Sequence, residues 1–215
     1  MSKEAKILFS IGGVIIVVLV AFGFLFGNTN PNDKSVDEAI LVSPDSQIKK
    51  ATGEEKVVVV EFSDFQCPAC SVVEPTITQL LKTYGENVTF VYRYFPLSGH
   101  PHGELAALAA AAAGAQGKFW EMHDQLFTQQ ADWGSLANPL DTATVREKII
   151  GYATALGLNV EQFTADLDNQ TYLSAIQQGK TDGAAANITG TPSFFVNGVP
   201  TEVSDFETAV SAAVK

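Results

Sequence analysis

Val57-Val58-Val59-Val60-Glu61-Phe62 leads through Ser63-Asp64-Phe65-Gln66 into Cys67-Pro68-Ala69-Cys70. The first six residues form an apolar, β-branched run, the pattern of a central strand buried on both faces. From Cys67 the pattern turns helical: Val73, Ile77, Leu80, Leu81 and Tyr84 recur at steps of three and four, and Gly85 supplies a stop. Pro75 falls inside this helix, where a kink is expected. Strand character returns over Asn87–Pro96, where Val88, Phe90, Tyr92 and Tyr94 alternate with Thr89, Val91, Arg93 and Phe95. One β-α-β unit therefore closes by Pro96, with parallel strands joined by a right-handed crossover.

Helical patterns fill the chain from about residue 100 to 188. Gly103–Ala115 is rich in alanine, the best helix former. Phe119–Phe127 is amphipathic, and Val145–Leu156 and Val160–Ala186 supply further helices. After Gly190 the pattern reverts to strand. Pro192-Ser193-Phe194-Phe195-Val196 meets Asn197-Gly198, a strong two-residue hairpin signal, and Val199–Val203 can return beside it. Phe206–Val214 reads as a last helix. The order β-α-β, helices, β-β-α defines an α/β domain with a helical insertion.

Toward the other end, Ile7–Gly27 contains no charged residue. At about 1.5 Å per residue it is long enough to cross a ~30 Å hydrocarbon layer as one transmembrane helix. Lys3 and Lys6 precede it, which keeps the N-terminus inside and exports the remainder. A cleaved signal peptide usually has a shorter apolar region and a small-x-small site. Leu25-Phe26-Gly27 does not fit that pattern, so an uncleaved anchor over residues 1–27 is expected. Residues 28–52 are polar, with Pro31 and Pro44, and read as a linker with one short amphipathic turn around Val36–Val42. The compact domain is expected over 53–215. Beyond the anchor the chain has 11 basic and 23 acidic residues, without a basic stripe that would bind nucleic acid or anionic lipid.

The chain's two cysteines both lie in the Cys67–Cys70 tetrapeptide. An exported domain without any other cysteine must hold its core together unaided, and it leaves this pair free to cycle. Thiolates, not thiols, attack disulfides. A cysteine at the first turn of a helix faces unpaired N–H groups and the positive end of the macrodipole, which lowers its pKa below the usual ~8.5. Pro68 suits a position that needs no N–H partner. Cys70 lies one turn deeper. Cys67 is thus read as the attacking thiol and Cys70 as the resolving one.

The spacing also suits half of a zinc site, but His100, His102 and His123 do not offer ordinary helical ligand spacing for the rest. A purely structural bridge closing so short a loop would restrict the unfolded chain little. Glu61 has two readings: a buried proton acceptor for Cys70, or an exposed or ion-paired edge residue. Asp64 reads as a capping or loop residue. Thr191-Pro192 opens a strand that would otherwise be internal, and either an ordinary trans proline or a cis bond beside a functional loop fits.

EFSDFQCPAC at 61–70, followed by Glu74-Pro75, resembles the active-site strand and helix of DsbA-like thiol–disulfide oxidoreductases of the thioredoxin superfamily. GTPSFFVNG at 190–198 resembles that family's cis-proline loop and hairpin. HPHGELAALAA from His100 and KFWEMHDQLF from Lys118 resemble its inserted helical domain. The resemblance implies a thioredoxin fold with a helical insertion over about 100–188. It implies Cys67 as nucleophile, Cys70 as resolving thiol and Glu61 as the buried acid, with Pro68, Ala69, Thr191 and Pro192 meeting the substrate. Ala69 departs from the family's best-known strong oxidants, which carry histidine there.

The same resemblance implies a membrane-anchored enzyme outside the cytoplasmic membrane that gives disulfides to exported, unfolded polypeptides. A quinone-linked membrane partner would reoxidise it. A monomer is expected, needing no cofactor or metal beyond the Cys67–Cys70 disulfide. The alternatives are a reductase or isomerase of the same fold, and a metal-delivering or peptide-binding module.

Overall fold

The computed structural model describes residues 35–215. The anchor expected at Ile7–Gly27 and the first part of the linker lie outside the described residues. Among the described residues no helix is long and apolar enough to cross a membrane.

The valine run forms β2 (Val57–Ser63), the middle of a five-stranded sheet. β3 (Val88–Tyr94) pairs with it in parallel, from Val57 opposite Val88 to Ser63 opposite Tyr94. On its other side β4 (Ser193–Val196) runs antiparallel, with Glu61 opposite Phe194. β5 (Val199–Thr201) extends the sheet beyond β4, and β1 (Gln47–Lys49) closes the opposite edge against β3. All of β3 and all of β2 except Val58 are buried, the outcome expected of strands covered on both faces. Because side chains alternate along a strand, Val57 and Val59 join one core with α2 (Pro68–Tyr84), while Val60 and Phe62 join another with Leu41, Val91 and Phe195.

The insertion comprises α3 (Gly103–Ala115), α4 (Phe119–Thr128), α5 (Gln130–Trp133), α6 (Thr142–Ala155), α7 (Val160–Asp168) and α8 (Leu173–Ala185). Residues 106–113 of the alanine-rich α3 are all buried, so small side chains serve close helix packing here. The single helix expected over Val160–Ala186 is two, because the chain breaks after Asp168 and Gln170 takes a left-handed φ of 51°. The hairpin turn has φ 48° at Asn197 and 80° at Gly198, both left-handed as a type I′ turn requires. Asn197 also bonds the sheet: its Oδ1 accepts from Val58 N at 2.8 Å, and its N–H donates to Val58 O at 2.9 Å. Phe206 opens the last helix, α9 (Phe206–Val214), and stacks on Phe194 with ring centroids 4.3 Å apart.

A polar linker running to residue 52 is corrected by the structure. The amphipathic turn is α1 (Glu38–Leu41), capped by Asp37, and Leu41 is buried in the second core. The reason lies on β3. Arg93 is 2% exposed, and a buried guanidinium must be paired and hydrogen-bonded. It donates to the carbonyls of Ile40 (2.8 Å) and Leu41 (2.7 Å) and forms an ion pair with Asp182 of α8. A four-residue helix and a three-residue strand are too short for periodicity to reveal.

A fragment beginning at Gly53 would lose Leu41, β1 and two of the acceptors of Arg93. It is expected to be less stable than one beginning at Ser35 by at least about 3 kcal/mol in denaturant unfolding. Equal stability of the two fragments would show that residues 35–52 are a linker after all.

Candidate active site

Asp64 organises the turn from β2 into α2. Its carbonyl accepts from Cys67 N at 2.9 Å, and its Oδ1 accepts from Gln66 N at 2.8 Å. Its Oδ2 accepts from Leu97 N at 2.9 Å and lies 2.6 Å from His100 Nδ1. Asp64 is a loop residue, as expected, but one that is 1% exposed and joins the turn to the chain beyond β3. Gly103 makes room for it, since a Cβ there would come within 2.6 Å of Asp64 Oδ1.

Cys67 follows as the N-cap residue of α2, with Pro68 at the first helical position. Its thiol is lowered from an ordinary value near 9 to about 5. The Cys70 thiol is the largest cause, followed by the Thr191 hydroxyl and the backbone N–H groups of Cys70 and Ala69, all against the opposing effect of burial. Its Sγ lies 3.4 Å from the carbonyl oxygen of Thr191, whose bond to Pro192 is cis. A protonated sulfur can donate to that oxygen, whereas a thiolate cannot. Pro68 and Ala69 are exposed on one side of Cys67, and Thr191 and Pro192 are half-buried on the other.

Cys70 is fully buried, and burial, the Cys67 sulfur and Glu61 all push its thiol well above the usual range. Both cysteines are present as free thiols. Glu61 projects to the same side of β2 as Val57 and Val59, toward α2, between Tyr92 on β3 and Phe194 on β4. It is fully buried, and neither carboxyl oxygen has a well-aligned hydrogen-bond partner. Burial raises its carboxyl from 4.5 to about 8, only partly offset by the Ser63 hydroxyl, and the charge of Cys67 adds to the rise. Of the two readings that the sequence leaves open for Glu61, burial on a central strand excludes the edge residue. Tyr92 is held well above its normal range by the same burial.

Three polar residues at the turn are not marked by the sequence as part of the site: Gln66, His100 and Gln130. They lie in irregular or helical segments where no spacing distinguishes them, and their partners are 36 to 68 residues away along the chain. Beside them an open groove of about 480 Å³ is lined by Pro68, Ser71, Phe127, Gln130, Gly134 and Leu136, among others. The histidines are dispersed. His100 faces Asp64, His102 Nε2 lies 2.9 Å from Leu140 O, and buried His123 Nε2 lies 3.6 Å from Glu74. Burial lifts the Glu74 carboxyl to about 9 and depresses the His123 imidazole.

An acidic sulfur at a helix start, a deeper protonated sulfur and a cis-proline loop define the chemistry of a thioredoxin-type dithiol. Residues 50–215 match the family model described as Thioredoxin, and the chain belongs to that family. Within it, the fold with its helical insertion is shared with the thiol-disulfide exchange protein alpha-DsbA2 of Wolbachia pipientis, at 17% identity with a TM-score of 0.64 over 81% of this chain and 90% of that one. Among solved structures, a thioredoxin-like oxidoreductase from Silicibacter pomeroyi DSS-3 is 28% identical, with a TM-score of 0.66 over 83% of this chain and 98% of that one. BdbD from Bacillus subtilis shares the fold at 24% identity, with a TM-score of 0.67 over 79% of this chain and 91% of its own. A Na(+)/H(+) antiporter NhaA 1 of Salinispora arenicola is 37% identical over 180 residues, which are 83% of this chain but 26% of the antiporter. The chain thus spans about a quarter of the length of such curated relatives, and the shared part takes in most of the thioredoxin domain.

With its pKa raised, Glu61 keeps a proton in the folded protein that the unfolded chain releases above about pH 4.5. Its contribution to stability is therefore complete below that pH and lost as the pH rises through about 8. Glu61→Gln keeps the shape without titrating. At pH 8 it should be more stable than the parent by a few kcal/mol, roughly, with the gap closing towards pH 4. A pH-independent difference would contradict a buried, protonated Glu61.

Proposed function

We propose that this protein is a membrane-anchored thiol–disulfide oxidoreductase that introduces disulfides into exported, unfolded polypeptides. The observation that carries the reading is the contrast between the two sulfurs: Cys67 titrates near 5, and Cys70 is held protonated one turn deeper. A stabilised Cys67 thiolate favours the reduced enzyme, which makes its disulfide a ready acceptor of electrons. The oxidoreductase from Silicibacter pomeroyi supports the activity, and the fold shared with a periplasmic thioredoxin-like protein of Salmonella enterica supports an extracytoplasmic setting. Residues 7–27 would hold the domain at the membrane, with the N-terminus inside and the enzyme working as a monomer.

In the proposed cycle a substrate thiolate attacks Cys67 Sγ of the oxidised pair, forming a mixed disulfide and breaking the Cys67–Cys70 bond. The electron pair leaves on Cys70, which takes a proton from Glu61. A second substrate thiolate then attacks the substrate sulfur of the mixed disulfide, and Cys67 departs as a thiolate. Two electrons pass from the substrate to the enzyme. Both substrate protons go to water, and the proton on Cys70 is the one that Glu61 gave. Thr191 and Pro192 would align the substrate chain across from Pro68 and Ala69. A quinone-linked membrane partner would reverse the exchange, with Glu61 accepting the Cys70 proton. Ala69 offers no charge to help the thiolate, and this favours a milder oxidant than a histidine there would give.

The test is transfer to a reduced, unfolded polypeptide carrying one pair of cysteines. The oxidised protein should deliver one disulfide per molecule. Cys67→Ala should abolish transfer, and Cys70→Ala, offered the same polypeptide with its disulfide already formed, should accumulate a mixed disulfide on Cys67. No transfer from the oxidised parent, or trapping through Cys70 instead, would refute the proposal.

A further inference from the structure

The turn that carries Cys67 is held from the helical insertion. Gln130, the first residue of α5, donates from Nε2 to the carbonyl oxygens of Phe65 at 2.8 Å and Cys67 at 2.9 Å. Gln66 reaches the other way. Its Nε2 donates to Gly134 O at 3.2 Å, and its Oε1 accepts from His102 N at 2.6 Å. Gly134 completes the connection: its N–H donates to Gln130 O at 2.7 Å, and a Cβ there would lie within 3.4 Å of both glutamine side chains. Gln66 and Gln130 thus pack on bare backbone, which fixes their reach.

We propose that Gln130 is a positioning residue for the dithiol, through which the helical insertion sets the environment of the Cys67 sulfur. The inference rests on the reading of Cys67 as the attacking thiol. The Cys67 carbonyl starts α2 by accepting from Ser71 N at 3.2 Å, so the bond from Gln130 fixes the peptide that begins the helix. That peptide and the next set the direction of the Ala69 and Cys70 N–H groups that face the sulfur. The amide hydrogen on the Cys67 carbonyl also offsets that oxygen's partial negative charge, in the same residue as the sulfur that must itself carry charge. The titratable groups bearing on Cys67 are Cys70 on α2 and Glu61 on β2. Gln130 is uncharged, so its removal acts on Cys67 through geometry and dipoles alone.

The test is the pH dependence of Cys67 alkylation by iodoacetamide in the reduced full chain, kept in detergent, with the modified residue identified by mass. Gln130→Met keeps the shape but removes the donors, and Gln130→Glu puts acceptor oxygens in their place. The midpoint should rise by about half a unit to one unit in the first variant and further in the second. Alkylation near pH 5 would then slow by about two- to fivefold, with the rate at pH 10 unchanged. Melting temperatures that fall while both midpoints stay at the parent value would overturn the inference, leaving Gln130 a structural role only. If Gln130→Met does not fold, the polar, isosteric Gln130→Glu decides on the same readout. A parent midpoint near the ordinary ~8.5 would overturn the reading of Cys67 and this inference together. A parent midpoint near 5 with unshifted variants would overturn the inference alone.

Discussion

The proposed cycle depends on the first turn of α2 presenting a charged sulfur while the second cysteine stays uncharged beneath it. Backbone N–H groups left unpaired at the helix start favour charge on Cys67, while the same helix carries Cys70 into a core where charge is costly. Much of the domain serves that gradient. β2 sits at the centre of the sheet so that its C-terminal end delivers the turn, and α2 packs over the face of β2 that bears Glu61. Asp64, itself buried, holds the turn between them.

Glu61 shows how the gradient reaches further in. A carboxyl on the central strand, flanked by Tyr92 and Phe194 and without an aligned partner, is neutral through much of the physiological range. Such a group lowers stability whenever it is forced to ionise, so it is a cost to the fold that the packing of β2 must offset. Its place beside the buried thiol gives that cost a use in the proposed cycle. Cys70 cannot leave or attack without a proton moving, and water has no access to it.

The β-α-β unit, the Asn197-Gly198 hairpin and the last helix are legible in the sequence because each has a local signature: an apolar run, a period of 3.6 or a turn dipeptide. The cysteine pair is legible for the same reason, being contiguous. Long-range polar contacts are not. Nothing near Arg93 announces that its partners are Ile40, Leu41 and Asp182, and so residues 38–49 read as linker. Gln66 and Gln130 are ordinary polar residues until the insertion folds back over the turn. Glu61 stands between, since its strand is evident but its depth depends on β4, which lies more than a hundred residues later.

If the environment of Cys67 stabilises the reduced form, this dithiol is a disulfide donor even with Ala69 in place of histidine. Equilibrating the protein against glutathione buffers measures that directly. The reduction potential should lie nearer the ~−120 mV of DsbA than the ~−270 mV of thioredoxin, above about −200 mV. A value close to about −270 mV would contradict a stabilised Cys67 thiolate and make the protein a reductase.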